Sequence, residues 1–382
     1  MSYSIDSRSV QAGDWFIPVK GPRFDGHNYI KDVLAKGARV LDVDLTTYAT
    51  DFRSNRLKAI VIGITGSAGK TTVKDLLAAV LNTQFKVAKT AENQNNEIGV
   101  PLTLLNTPND ADFVVVEMGM RGRGQIKHLT QIAKPDWVLI SSLGSTHIEL
   151  LKTRRNIALA KAEVFDFDPS ALRAPSLTKG RSFKTILNTE MNYFELVSGI
   201  AKKRGFSVST ITEPDPIRSN FQMVTALARQ VGVTEANIEK ALASFTVPSA
   251  HRQQRIEWGQ NTLIDDTYNA NPESMCFAIK KLIDDFPDRP LGVVLGEMRE
   301  LGDHAQTAHK ELIDFVARHP QITWVTWVGQ IFKPFVKKGH DWYDIDDKIK
   351  VAQAIRSTDK KGYVILVKGS RSLQMETIFQ PL

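Results

Sequence analysis

Ala59-Ile60-Val61-Ile62-Gly63-Ile64-Thr65-Gly66-Ser67-Ala68-Gly69-Lys70-Thr71-Thr72 sets a β-branched apolar run directly against a glycine-rich turn. Behind the turn, Val73, Leu76, Leu77, Val80 and Leu81 follow the i, i+3, i+4, i+7, i+8 spacing of an amphipathic helix. Strand, glycine loop, Lys-Thr and helix form the arrangement that cradles phosphates. In such an arrangement backbone N–H groups and the positive helix end face the anion, Lys70 reaches the outer phosphates, and Thr71 can hold Mg²⁺. A general P-loop carries glycine five residues before Gly69, where this chain has Ile64. A nucleotide site is the expectation; the alternative is a tight βα turn that binds nothing.

Outward from this stretch, strands and helices alternate, which predicts an α/β protein with mostly parallel sheets. Phe113-Val114-Val115-Val116 reads as a buried strand delivering Glu117 at its C-terminal end. Trp137-Val138-Leu139-Ile140 reads as another, followed by a loop that reaches His147. Ligands of open α/β sheets sit beyond the carboxyl ends of strands, where Thr71, Glu117 and His147 are expected. Thr90 to Pro101 is amide-rich and polar, and is expected to be a loop. A helix over 155–165 turns Lys161 toward the apolar neighbours Ile157 and Val164. Helical position alone favours a lysine stem lying along the edge of a core; a partly desolvated amine available for chemistry is the alternative.

Before the P-loop, residues 1–57 read as a small unit with a strand near Trp15–Val19, a helix near Tyr29–Lys36 and a polar linker at Thr50–Arg56. Residues 166–218 are the least regular, with Asp168-Pro169, Ala174-Pro175-Ser176 and Glu213-Pro214 among them. Strands at Thr185–Asn188 and Ser207–Ile211 and helices near 219–230 and 234–244 complete this part. A second alternating block starts near Gln254. Three apolar strands, Thr262–Ile264, Leu291–Leu295 and Tyr363–Val367, each run into a charged or glycine-bearing loop. Asn271 with Pro272 reads as a helix start.

The composition narrows the class. Lys plus Arg number 49 against 42 Asp plus Glu, a net charge of +7, but the basic residues are scattered rather than interleaved with aromatics. That speaks against nucleic acid and fits a solvated surface or small polyanionic substrates. A single cysteine, Cys276, excludes an internal disulfide and a multi-cysteine metal site. No apolar run approaches the roughly 18 residues of a membrane span, and the first residues lack a signal-peptide core. A cytoplasmic protein is the expectation.

The ordered blocks resemble the ATP-dependent Mur ligases, which form peptide bonds in bacterial cell-wall precursors. Thr65-Gly66-Ser67-Ala68-Gly69-Lys70-Thr71-Thr72 resembles that family's variant P-loop, which accounts for Ile64. Glu117 and His147 resemble its magnesium ligands, and Lys161, fourteen residues after His147, matches the lysine that the family carbamylates. Asn95-Asn96-Glu97-Ile98-Gly99-Val100-Pro101, Asp265-Asp266-Thr267-Tyr268-Asn269-Ala270-Asn271-Pro272, Gly296-Glu297-Met298-Arg299-Glu300-Leu301-Gly302 and Lys368-Gly369-Ser370-Arg371 resemble the branch that adds D-alanyl-D-alanine. Asp6-Ser7-Arg8 and Asp25-Gly26-His27 resemble its domain for the UDP-sugar end. The first domain, and the segment between Phe165 and Asn220, are short for the family.

The resemblance implies three domains: 1–57 for the UDP-precursor, 58–253 for ATP, and 254–382, Rossmann-like, for the amine substrate. It implies ATP on Gly66, Ser67, Ala68, Gly69, Lys70, Thr71, Thr72, Asn220, Arg252, Asp266 and Tyr268. It implies two Mg²⁺ ions on Thr71, Glu117, His147 and carbamylated Lys161, so that Lys70, Glu117, His147 and Lys161 carry the chemistry. Ser7, Arg8, Asn95, Asn96, Asn269, Asn271, Lys368, Ser370 and Arg371 would contact a UDP-N-acetylmuramoyl-tripeptide and D-alanyl-D-alanine, which a monomer would join. A paralogue joining another amine or acceptor, and a binding module without turnover, are the alternatives.

Overall fold

The computed structural model describes residues 2–22, 24–168, 182–245, 251–356 and 361–379. Pro169 and Ala174-Pro175-Ser176 lie outside the described residues. The chain divides into two compact units, one of Met1–Leu143 with Ala158–Thr246, the other of Gly144–Ile157 with Val247–Leu382.

The first unit opens with a three-stranded parallel sheet, β1 (Tyr3–Ser4), β2 (Trp15–Phe16) and β3 (Arg39–Val40), in that order. Phe16, Val10 and Ala38 pack there on Val33 of α1 (Ile30–Ala35). Asp44 then caps α2 (Leu45–Asn55) by accepting the Thr47 N–H. The polar stretch expected as a linker is the second half of this helix. Arg53 in its middle is fully buried, its guanidinium donating to the carbonyls of Ala133 (2.8 Å) and Lys134 (2.7 Å) and to Asp136 Oδ2 (3.0 Å). A charged residue whose partners are remote carbonyls gives no local sign of burial.

The main sheet of this unit holds β4 (Ile60–Thr65), β5 (Val87–Lys89), β6 (Phe113–Glu117), β7 (Trp137–Ile140), β8 (Lys184–Asn188) and β9 (Ser207–Ile211). Its order is β5-β6-β4-β7-β8-β9, parallel throughout. The chain leaves the central β4 first to one side and then to the other, which makes the carboxyl end of β4 a topological switch point. Strands buried on both faces need apolar residues at every position, and Val114, Val115 and Val116 are all at 0% exposure. From β4 the chain enters α3 (Lys70–Leu81), whose Val73, Leu76, Leu77, Val80 and Leu81 are fully buried as their spacing predicts. The loop after β5 is shorter than expected, because Gly99, Val100 and Pro101 already form the first turn of α4 (Gly99–Leu105). Asn96 Oδ1 accepts the Gly99 N–H at 3.0 Å there, satisfying one of the amides that the first turn leaves without a helical partner.

Further along are α5 (Gln125–Ala133), α6 (Ile148–Leu151) in the second unit, α7 (Arg154–Ala162), α8 (Phe194–Lys203), α9 (Pro216–Gln230) and α10 (Glu235–Ser244). The helix expected over 155–165 is α7 followed by a 3₁₀ turn at Glu163–Phe165.

In the second unit β10 (Gln254–Trp258) runs antiparallel to β11 (Asn261–Asp265). The remaining strands are β12 (Leu291–Gly296), β13 (Ile322–Val328), β14 (Asp341–Tyr343) and β15 (Val364–Lys368). The order is β10-β11-β15-β12-β13-β14, and every pair after the first is parallel. Three of these strands are the apolar ones expected. β13 and β14 carry polar residues between their aromatics, and β10 is half exposed, so none of them forms the continuous apolar run that marks a buried parallel strand. Among the helices α11 (Pro272–Asp285), α12 (Ala305–Ala317) and α13 (Lys348–Arg356), the first starts in a capping box. Asn271 Oδ1 accepts the Ser274 N–H (2.8 Å) while Ser274 Oγ accepts the Asn271 N–H (3.0 Å).

Candidate active site

The turn between β4 and α3 folds as it does because two of its residues can only be glycine. Gly66 has φ +152°, and a Cβ there would lie 2.0 Å from Ser141 Oγ. Gly69 has φ +80°, and a Cβ there would lie 2.6 Å from Asn220 Nδ2. The turn is also tied to the loop after β7: Ser67 N–H donates to the Ser142 carbonyl (2.9 Å) and Ala68 N–H to Ser142 Oγ (2.8 Å).

Two lysines meet in this turn. Lys70 Nζ and Lys161 Nζ donate to the same Gly66 carbonyl, at 3.0 Å and 2.9 Å. Lys161 is only 2% exposed, so the core-edge stem favoured by its helical position is replaced by a buried amine. Burial first, and the charge of Lys70 second, hold its pKa well below the usual lysine range.

At the end of β6, Glu117 is 1% exposed. Its N–H donates to Thr90 Oγ1 (3.0 Å), and its Oε1 accepts from Asn95 Nδ2 (2.8 Å). Oε2 has no hydrogen-bond partner among the described residues and lies 4.0 Å from Lys74 Nζ. A buried carboxylate oxygen left over in this way fits a hard cation, which takes oxygen ligands. Thr71, 4% exposed, stands at the start of α3, and Thr72 follows it half-buried. Asn220, in α9, is 6% exposed, and its Oδ1 also lacks a hydrogen-bond partner among the described residues. The first unit thus brings together Gly66, Ser67, Ala68, Gly69, Lys70, Lys161 and Asn220, and separately Glu117 with Asn95. Asn96 Oδ1 accepts the N–H groups of Ile98 (3.2 Å) and Gly99 (3.0 Å). Arg8 pairs with Asp6 at 2.8 Å and holds that carboxyl down at about 2, while the neighbouring Ser7 carbonyl accepts Lys36 Nζ (2.8 Å).

His147 belongs to the second unit, where its Nδ1 lies 2.6 Å from Glu300 Oε2. At the carboxyl ends of β11 and β15, Lys368, 4% exposed, pairs with Asp266 Oδ2 (2.7 Å) and donates to the Asn269 carbonyl (2.8 Å). Asp265 accepts from Thr267 Oγ1 (2.7 Å) and meets His251 Nδ1 at 2.6 Å. The Arg252 guanidinium stacks 3.8 Å over the Tyr268 ring, a cation–π pair. Ser370 Oγ accepts the Arg299 N–H (2.8 Å), and Arg371 pairs with Glu376 (2.8 Å). Asn271 joins the group by donating to Thr146 Oγ1 at 2.9 Å.

Sequence reasoning missed several residues that shape these sites. Ser141 and Ser142 had only their position after a strand to mark them. Lys74, 1% exposed, follows Lys70 by one helical turn and donates to the Glu92 carbonyl at 2.6 Å, a spacing that could have flagged it. Glu300, in the loop after β12, gives no local sign that its carboxylate lies against His147.

Three family descriptions match in chain order: the Mur ligase family catalytic domain over residues 2–94, the Mur ligase middle domain over 64–245, and the Mur ligase glutamate ligase domain over 251–371. The UDP-N-acetylmuramoyl-tripeptide–D-alanyl-D-alanine ligase of Bacillus subtilis is 31% identical, over 99% of this chain and 92% of its own length. The Synechocystis ligase of the same name is 35% identical, over 80% of this chain and 74% of its own. Among solved structures, Thermotoga maritima MurF in complex with ADP superposes with a TM-score of 0.79 at 26% identity, covering 99% of this chain and 96% of that one. Acinetobacter baumannii MurF shares the fold, with a TM-score of 0.83 at 24% identity over 99% of this chain and 92% of that one. Matched over nearly its full length by both sequence and fold, the chain belongs to the Mur ligase family and, within it, to the D-alanyl-D-alanine-adding ligases, MurF.

Proposed function

We propose that this protein joins D-alanyl-D-alanine to a UDP-N-acetylmuramoyl-tripeptide at the expense of ATP, in peptidoglycan precursor synthesis. The observation that carries the reading is the convergence of Lys70 and Lys161 on the Gly66 carbonyl inside a phosphate-cradling turn. The carboxylate of the acceptor peptide attacks the γ-phosphorus, ADP leaves, and an acyl phosphate forms. The dipeptide amine then attacks the acyl carbon, phosphate departs, and the amine gives up a proton. Both steps bring anions together, so the chain's main work is positioning and neutralising charge.

Lys70 and the turn from Gly66 to Thr72 take the phosphates, and Asn220 Oδ1, a buried acceptor beside the turn, suits the exocyclic amine of adenine. Arg252, stacked on Tyr268, and Asp266 complete the nucleotide contacts from the second unit. Thr71 and Glu117 would hold one Mg²⁺, a choice supported by the unpartnered Glu117 Oε2; His147 and Lys161, as its carbamate, would hold a second. When bound, Mg²⁺ supplies charge neutralisation at the phosphoryl oxygens. Buried Lys161 is suited to carbamylation because the nucleophile toward CO₂ is the neutral amine. Ser7, Arg8, Asn95 and Asn96 would take the UDP-precursor, and Asn269, Asn271, Lys368, Ser370 and Arg371 the dipeptide. On this reading 1–57, 58–253 and 254–382 serve the UDP-precursor, ATP and the amine, in a cytoplasmic monomer. No helix among the described residues is long and apolar enough to cross a membrane.

The test is ADP release measured with each substrate left out in turn. Turnover is expected only when the acceptor and D-alanyl-D-alanine are both present. Turnover with another amine and none with the dipeptide would point to a different ligase, and ADP release that ignores both would refute the ligase reading.

A further inference from the structure

Lys74 is a buried cation to which the proposed chemistry gives no task. It follows Lys70 by one turn of α3 and is 1% exposed. Its Nζ donates to the Glu92 carbonyl at 2.6 Å. Glu92 has a left-handed backbone, at φ +43°, a conformation that persists only where its surroundings fix it. The loop around it is fixed on both sides. Thr90 Oγ1 accepts the Glu117 N–H (3.0 Å), and Asn95 Nδ2 donates to Glu117 Oε1 (2.8 Å). The Lys74 ammonium is thus anchored beside Glu117, with Oε2 at 4.0 Å and Asp75 Oδ1 at 3.6 Å. Asp75 Oδ1 is met more closely by Lys89 Nζ, at 2.6 Å. Among the described residues Lys74 is the one cation within 4.0 Å of Glu117. At that distance it supplies charge without a hydrogen bond, and Oε2 keeps its lone pairs.

We propose that Lys74 is the resident counter-charge of Glu117 and withholds that carboxylate from divalent metal until nucleotide phosphates are bound. A metal ion arriving at Oε2 alone meets a like charge that cannot swing away, in surroundings where burial keeps the repulsion strong. Phosphates on the neighbouring turn bring negative charge that outweighs the ammonium, and the same oxygen then becomes a metal ligand. Lys74 acts through Glu117 and touches neither phosphate nor peptide. This inference rests on the proposed role of Glu117 as a magnesium ligand.

The test separates the two. Mn²⁺ binding followed by electron paramagnetic resonance, with and without ADP, reads metal affinity without turnover. The wild type is expected to bind Mn²⁺ far more tightly with ADP than without it. Lys74→Gln keeps an N–H for the Glu92 carbonyl and loses the charge. Without ADP it should bind Mn²⁺ roughly 10–100-fold more tightly than wild type, the worth of one unit charge a few ångströms from a divalent ion in a well-screened site. A merely structural lysine would give a loss and not a gain. Lys74→Arg, which keeps the charge, should stay close to wild type, and the gain should vanish in the double variant Lys74→Gln/Glu117→Gln. Unchanged or weaker nucleotide-free binding in Lys74→Gln, with Mn²⁺ still lost in Glu117→Gln, would overturn the inference and leave Glu117 a ligand. Equal Mn²⁺ affinity with and without ADP in the wild type would overturn it before any variant is made. Unchanged Mn²⁺ affinity of Glu117→Gln in the presence of ADP would overturn both readings.

Discussion

Lys70 and Lys161 share one hydrogen-bond acceptor, the Gly66 carbonyl, at 3.0 Å and 2.9 Å. Burial first, and repulsion from the Lys70 ammonium on the same oxygen second, push the Lys161 pKa well down. The repulsion is relieved either by an anion arriving between the lysines or by Lys161 losing its charge. Both belong to the proposed chemistry: a phosphate does the first, and carbamylation turns the second cation into an anion beside Lys70.

The carbamate is directly observable. Protein equilibrated with ¹³C-labelled bicarbonate should show one carbamate carbon resonance, and Lys161→Met should remove it. The same variant should lose about 10²–10³ in the rate of ADP release, the usual loss when a charge-stabilising group is deleted from a transition state. A wild-type spectrum without the resonance would remove the carbamate from the mechanism.

Replacing Lys70 should move activity and stability in opposite directions. Lys70→Ala is expected to cost about 10²–10³ in turnover. Because it also removes a like charge from beside Lys161, the melting temperature should hold or rise. A variant that keeps most of its activity would sink the assignment of Lys70 to the phosphates, and a sharp fall in melting temperature would mean that the two lysines do not repel in the folded protein.

Arg53 tests a part of the fold that no local pattern revealed. Its side chain is 0% exposed and its ion-pair partner Asp136 5%, and Asp136 Oδ2 also accepts the Val61 N–H at 2.8 Å. Arg53→Met strands a buried carboxylate, for which breaking such pairs typically costs about 3–5 kcal/mol. Hydrogen exchange at the amides of β4 and β7 should accelerate accordingly. Protection equal to the wild type would show that solvent, rather than Arg53, neutralises Asp136.

The contrast between Lys161 and Arg53 shows what the chain's sequence reveals and why. The P-loop, the parallel strands and the α3 face are written in contiguous residues, so periodicity and turn chemistry find them. The spacing around Lys161 puts it on an apolar helix face, but only the fold brings Gly66 to its amine, so its full burial is not legible in the sequence. Arg53 had no local signal, since its partners lie some eighty residues away and two of them are backbone carbonyls. Asn96 shows the converse: the residue is visible in the sequence, but its side-chain oxygen accepts the Ile98 and Gly99 amides, a task that a motif alone does not announce. Ser142 lies 74 residues from Ala68, whose amide it accepts, so no local pattern announces it.

His309 supplies a pH dependence whose sign follows from its hydrogen bonds. Its Nδ1–H donates to the Ala305 carbonyl (2.7 Å) and its Nε2 accepts the Met298 N–H (3.0 Å), so the neutral ring is fully used. Its ring also packs edge-on against Phe332, with centroids 4.6 Å apart. Burial pushes its pKa below the ordinary 6.5, with the Ala305 bond and Glu297 opposing that shift and Arg299 adding to it. Below pH 6.5 the unfolded chain therefore binds a proton that the native protein refuses, and stability falls with pH until the folded-state pKa is passed. The contribution is complete above the unfolded value and is lost on acidification, never on raising the pH. His309→Gln, whose amide oxygen can accept the Met298 N–H but does not titrate here, should flatten the fall in melting temperature between about pH 7 and 5 relative to wild type. The difference between the two curves removes groups common to both. Parallel curves would mean that His309 is charged in the native protein, and the hydrogen bond from Met298 would then have to be absent in solution.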